Sequence, residues 1–235
     1  MTENEQIKPE SWLWHLLGLI NPTIVMASNI VGGFWVASGV IYMLGLGPFL
    51  DMLFGRASKP KPPRESGRPF EALLYVHAFI QFATLGTLLY RASIDGSAWT
   101  TWVAALSTGI SSGVSGIIVA HELGHTKKGS FSWWVGRLNL LSVMYLHFTT
   151  EHNFTHHKHV STVKDPATAR YGESLWWFVA RTVPGQFRDA AAVHHRKGRT
   201  GFSNPVYRGL LLQIVLVGVM FAVLGPWITG AFLAQ

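Results

Sequence analysis

Four long stretches of this 235-residue chain contain no Asp, Glu, Lys or Arg, and they limit its fold more than any other feature. They are Ser11–Leu50, Ala72–Tyr90, Ser97–Ala120 and Gly209–Gln235. A helix crossing a bilayer needs about 20 apolar residues. Ser11–Leu50 is long enough for two crossings, with Asn21-Pro22 and Gly32-Gly33 as candidate bends and the hairpin turn near Gly32. The expectation is an all-α, polytopic membrane helical bundle with five spans. Between the fourth and fifth spans lies a long polar region, His121 to Arg208, with an amphipathic patch at Phe131 to Phe148.

Composition agrees with lipid as the solvent. Only 13% of residues are charged, against about 25% in an average soluble domain. The chain has no Cys, which excludes disulfides, thiolate zinc sites and cysteine nucleophiles. The net charge of +7 lies in loops between apolar runs, which argues for membrane topology and against a nucleic-acid partner. One basic loop holds Arg56, Lys59, Lys61, Arg64 and Arg68. The other basic region runs from Lys127 to Arg208. Two spans separate them, so the positive-inside rule puts both on the cytoplasmic side, with the Arg91–Gly96 turn and Gln235 outside. The polar start, Met1 to Glu10, lacks the basic opening of a secretory signal. Gly109, Ser112, Gly113 and Gly116 in the fourth span suit close helix packing, or a narrow channel for an apolar substrate.

The histidines fall in two clusters at the ends of apolar segments. HELGH carries His121 and His125. EHNFTHHKH carries His152, His156 and His157. Residues four apart share a helix face, so each pair can reach one metal ion. His15, His77 and His147 read as solvated or hydrogen-bonded side chains, although His77 sits inside a span and is open to a functional role, and His159, His194 and His195 read as loop residues. HELGH also satisfies the zinc-protease pattern, with Glu122 as general base, which makes a membrane zinc metalloprotease a rival reading. Against it, one zinc needs three protein ligands, whereas five clustered imidazoles are available and the last span offers no acidic ligand. Imidazole suits iron as well as zinc, and five imidazoles in two groups favour a pair of ions. Glu122, Glu151 and Asp165 either orient the ligand rings or are simply solvated.

HELGHTKK at His121–Lys128 resembles the first histidine box of the membrane alkane hydroxylase family, within the fatty-acid desaturase-like superfamily. The run from Tyr145 to Ser174, which ends in DPATARYGES, resembles the second box and the segment after it. GPFLDMLFG at Gly47–Gly55 and FVARTVPGQFRDA extend the likeness. The resemblance implies a six-span bundle in the bacterial inner membrane, of which five spans are present, with a cytoplasmic site made of two Fe ions. It implies His121, His125, His152, His156 and His157 as iron ligands. It also implies hydroxylation of the terminal methyl of n-alkanes with O2 and electrons from rubredoxin. A xylene-type hydroxylase or fatty-acyl desaturase would share the same boxes. Thr155 stands where the family usually has Gly. The family's Glu-His-Tyr-Gly segment and its third, Gln-Arg-His box do not occur. The expectation is therefore one membrane-embedded monooxygenase domain over residues 1–235, C-terminally truncated, or an inactive remnant.

Overall fold

The structure is a computed structural model describing residues 9, 11–55, 62 and 66–235. Most of the Met1–Glu10 tail and most of the Arg56–Arg68 loop lie outside those residues. Among the described residues every regular element is helical. In chain order they are α1 (Trp12–Val31), α2 (Gly33–Phe54), α3 (Arg68–Asp95), α4 (Trp99–Gly124), α5 (Phe131–Ser142), α6 (148–159), α7 (Leu175–His195) and α8 (Pro205–Ala234). Five of these, α1 to α4 and α8, are long and apolar enough to cross a membrane, so the chain is a multi-pass membrane protein. The break between α1 and α2 falls at Gly32, in agreement with the sequence reading. The helix α3 runs on through Arg91 to Asp95, where the sequence alone suggests a turn.

The chain forms two compact units, residues 1–119 with 226–235, and residues 120–225. In the first, α1, α2, α3 and α4 pack through small and hydroxyl side chains, as helices in lipid do. Asn29 donates to Thr87 Oγ1 at 3.3 Å and to Thr108 Oγ1 at 3.2 Å. Gln81 donates to Ser112, whose hydroxyl donates to Gln235 Oε1 at 2.7 Å. A Cβ on Gly109 would lie 2.7 Å from the Gln235 backbone, so the small residues of α4 serve close packing there.

The end of α1 shows how a helix stops where water is scarce. Its last carbonyls have no intrahelical partner. Arg91 supplies one, donating from Nε to Asn29 O at 2.7 Å and from Nη2 to Ile30 O at 2.6 Å, while Nη1 pairs with Asp95 at 3.1 Å. This pairing also explains why α3 extends to Asp95. Gly32 then turns the chain at φ 78°, ψ −162°, with the Arg91 guanidinium 2.5 Å from where a Cβ would stand.

The second unit is built around α5, α6 and α7. Ser130 and Ser174 cap the starts of α5 and α7 through their hydroxyls. Ala120, Leu140 and Leu146 form one small core. Ala190, Ala191 and Val206 form another. Met144 takes φ 56°, and Gln213 of α8 satisfies that bend, accepting from Leu146 N at 3.0 Å and donating to Met144 O at 3.1 Å. The sequence reading has α7 inside an undivided polar region. Its buried face is Thr182, Gln186, Ala190, Ala191, Val193 and His194, while Trp176, Trp177 and Val179 are exposed. Apolar periodicity therefore does not mark the side that packs. The last span is broken at Gly225, with φ 80°, just before Pro226.

Gly32→Ala should destabilise the protein by about 1–3 kcal/mol, because that backbone conformation is nearly exclusive to glycine. Thermal unfolding in detergent checks this, with Gly86→Ala as the comparison, since Gly86 lies within α3 and no atom lies within 4 Å of a Cβ there.

Candidate metal centre

The first histidine pair sits where α4 ends. Leu123 and Gly124 are buried against the rest of the unit, while His121 is half-buried and His125 exposed. Gly136 of α5 permits the close approach, since a Cβ there would lie 3.1 Å from Leu123 Cβ. The free carbonyls of the last turn are met by side chains. Thr126 Oγ1 donates to Leu123 O at 2.6 Å, and Asn153 Nδ2 donates to Gly124 O at 3.0 Å. Asn153 lies between the histidines of the second cluster, so this bond ties the two histidine segments together.

The second cluster does not follow regular α-helical spacing. His152–His156 is a π turn, and a second π turn, Gly113–Ile118, precedes His121 in α4. In an α-helix, residues five apart sit about 140° from each other around the axis. A π turn bonds i to i+5 and nearly aligns them. His152 and His157 accordingly face each other, Nε2 to Nε2 at 3.0 Å. Thr155 is buried within this turn, and its hydroxyl meets no partner.

The structure brings His121, His125 and His152 together with ligand nitrogens all within 4.8 Å of one another. His157 joins them, its ring 5.1 Å from that of His125 and 4.4 Å from that of His152. His156 stacks on His152 at 5.2 Å and turns its Nδ1 to Asp165 Oδ2 at 2.9 Å. Phe148 stacks on the other side of His152 at 4.9 Å.

The three acidic neighbours differ. Asp165 is fully buried and accepts from Thr168 Oγ1 at 2.5 Å, from Ala167 N at 2.9 Å and from His156. Burial by itself would raise its pKa, but those bonds outweigh burial and hold it below the ordinary aspartate value. Glu151 is buried with an unpartnered Oε1. Burial, then repulsion from Asp165 and Asp189, pushes its pKa up to about 8. Glu122 is mostly exposed and stands 3.9 Å from His121 Nε2, beyond a hydrogen bond.

These imidazoles suit a cation. Burial, and then the proximity of His121, His157, His156 and His125, holds the His152 pKa down to about 3. It is therefore neutral at physiological pH, the form that binds metals. Two Nε2 atoms facing at 3.0 Å can share at most one proton, and a metal would occupy both lone pairs. An all-nitrogen set fits iron, zinc or copper better than magnesium or calcium.

The DPATARYGES loop, which the sequence marks by resemblance but not by any role, holds Asp165 in place. Arg181 of α7 spreads its guanidinium over that loop. Nη1 donates to Pro166 O at 3.0 Å and Nη2 to Thr168 O at 3.0 Å, while Nε and Nη2 hold both oxygens of Glu173 at 2.7 and 2.8 Å. Gly185 lets Pro166 approach to 2.7 Å of its missing Cβ. Arg181→Gln should speed amide exchange across residues 161–172 by about tenfold or more, the scale of charge-assisted bonds. Arg181→Lys should not restore protection, because an ammonium cannot fork. The Arg181 hydrogen bonds hold the Glu173 pKa down to about 2, so the pair's contribution is complete above the ordinary glutamate pKa and disappears as pH falls through about 2. The exchange difference should therefore be unchanged between about pH 5 and 8.

A family profile described as Fatty acid desaturase matches residues 97–235. The chain is 33% identical over 216 residues to Alkane 1-monooxygenase of Pseudomonas putida, covering 83% of this chain and 53% of the relative. It is 32% identical over 244 residues to Alkane 1-monooxygenase of Ectopseudomonas oleovorans, covering 94% and 59%. With Alkane 1-monooxygenase 1 of Alcanivorax borkumensis it shares 33% identity, covering 93% and 57%. The chain thus spans somewhat over half the length of these relatives. The profile covers more than half of the chain, including all five clustered histidines, and on that ground the chain belongs to the fatty acid desaturase family.

Proposed function

We propose that the chain is the membrane-embedded, histidine-bearing part of a non-haem di-iron monooxygenase that hydroxylates the terminal methyl of n-alkanes with O2. The relatives' names carry the alkane. The convergence of two histidine segments on one small volume supports the metals. In this reading His121, His125, His152, His156 and His157 hold two irons. The bound irons supply the power to oxidise an unactivated C–H bond with O2.

The remaining work belongs to the chain. Asp165 accepts from His156 Nδ1, which fixes the ring and leaves Nε2 as its ligand atom. Asn153 locks the second cluster to the end of α4. Phe148, stacked on His152, shields that ring from water. Glu151 is a buried carboxyl beside the ligands with an oxygen that has no partner among the described residues. Glu122 is too exposed to orient a ligand ring firmly. The second histidine cluster beside HELGH favours two metals over the single zinc of a protease.

In this reading the site lies on the cytoplasmic face of a bacterial inner membrane, which the basic region between α4 and α8 supports. There an acidic electron carrier such as rubredoxin reaches it. Arg181 is engaged with Glu173, which leaves Arg188 and Arg196 as exposed cations for such a partner.

Two measurements test this. Anaerobic loading with Fe(II), followed by elemental assay, should show iron that falls sharply in His156→Ala, while Asp165→Asn should weaken affinity about 10–100-fold. Zinc retained in place of iron would overturn the di-iron reading. Membranes from cells expressing the gene in its full genomic frame should turn n-alkanes into 1-alkanols. Alkenes from acyl chains, or benzylic alcohols from alkylbenzenes, would instead assign the desaturase or xylene-type activity.

A further inference from the structure

The second unit contains a cavity of about 720 Å³ that meets the histidine cluster at His125 and extends from it into a basic wall to which the proposed oxidation assigns no role. Lys128, Arg137, Lys197, Arg199 and Arg208 line it, and no Asp or Glu does. Among the described residues none of these five forms an ion pair with a carboxylate. Arg137 is half-buried; its guanidinium donates to the Leu146 carbonyl and stands 5.6 Å over the Trp133 ring. Five cations gathered without an acid call for an anion to offset their repulsion.

A second observation points the same way. His194, also in the lining, is 8% exposed, and its Nδ1 is buried with no hydrogen-bond partner. A buried polar nitrogen left unpaired is costly, so a ligand oxygen there would relieve it. Four of the five cations act on this ring: after burial, Arg199, Lys197, Lys128 and Arg208 lower its pKa. The cations and the orphaned nitrogen therefore converge on one place.

The position of the cavity decides the kind of anion. Its wall includes Gly124 and His125 at the end of α4, and Pro205 and Val206 at the start of α8. Both helices are membrane spans, so the cavity opens at the depth where lipid headgroups lie. Trp133, Trp134 and Phe154 line it beside the cations, the mixture of ring and charge that suits the membrane interface. The volume far exceeds that of an inorganic phosphate, whereas basic pockets among spans receive lipid headgroups. We propose that this cavity binds the phosphate headgroup of an anionic membrane phospholipid, with the five cations offsetting its charge and His194 Nδ1 donating to a phosphate oxygen.

The test uses the whole chain in nanodiscs of equal phosphatidylglycerol and phosphatidylcholine, with co-purifying lipid read by native mass spectrometry. The metal site plays no part in this readout, so its failure would leave the proposed function untouched. Phosphatidylglycerol should be retained over phosphatidylcholine. The triple variant Lys128→Gln/Lys197→Gln/Arg199→Gln alters only exposed side chains and should fold. It should lower that preference by about fivefold per cation removed. Arg137→Gln and His194→Leu should also lower it, provided each unfolds at the parent temperature. Lys164→Gln/Arg170→Gln, exposed cations outside the cavity, should leave it unchanged. Equal retention of the two lipids, or an equal loss in the Lys164 and Arg170 variant, would overturn the proposal in favour of diffuse surface charge. Displacement of the lipid by millimolar inorganic phosphate would overturn the lipid as the source and assign a soluble anion.

Discussion

Lipid offers no hydrogen-bond partner, and several places where a helix bends or stops in this protein are answered from within the chain. The answers are specific side chains on other helices. Arg91 of α3 takes the last carbonyls of α1. Gln213 of α8 serves the bend at Met144. Asn153 of α6 takes a carbonyl at the end of α4. Each bond closes a backbone defect and at the same time sets the distance between two elements.

At the histidine site this double duty shapes the cluster. The end of α4 leaves unsatisfied carbonyls beside His121 and His125, and the residue that satisfies one of them lies between His152 and His156. The π turn from His152 to His156 then aligns His152 with His157, which regular helix geometry would hold apart. Burial of the ring and repulsion from its neighbours keep His152 neutral. On the far side, Arg181 gathers the 166–173 loop, and that loop carries Asp165 to His156. The geometry of one imidazole is thus traceable through a carboxylate and a loop to an arginine on α7.

Charge is divided between two tasks in the same unit. Arg181 is consumed internally by Glu173, whereas the cations around His194 have no carboxylate in the cavity to meet. The net charge of +7 does not separate these cases, since it counts both kinds of cation alike.

The spans, the break at Gly32 and the two histidine clusters were legible in the amino-acid order. Uncharged runs of this length have one outcome in lipid, and imidazoles at repeated four-residue spacing in two clusters have few uses other than metal. The remainder came from the packing of distant segments. At His152–His156 a π turn takes the place of regular helical spacing. The hydrogen bond to a clustered ring belongs to Asp165, while Glu122 stays outside hydrogen-bonding distance and Glu151 is buried with an unpaired oxygen. The helix α7 packs through one face and leaves Trp176, Trp177 and Val179 outward. The reason is physical: burial in lipid is a property of composition and can be read along a chain. Which polar atom meets which depends on backbone geometry and on partners tens of residues away, and neither is local to any stretch of sequence.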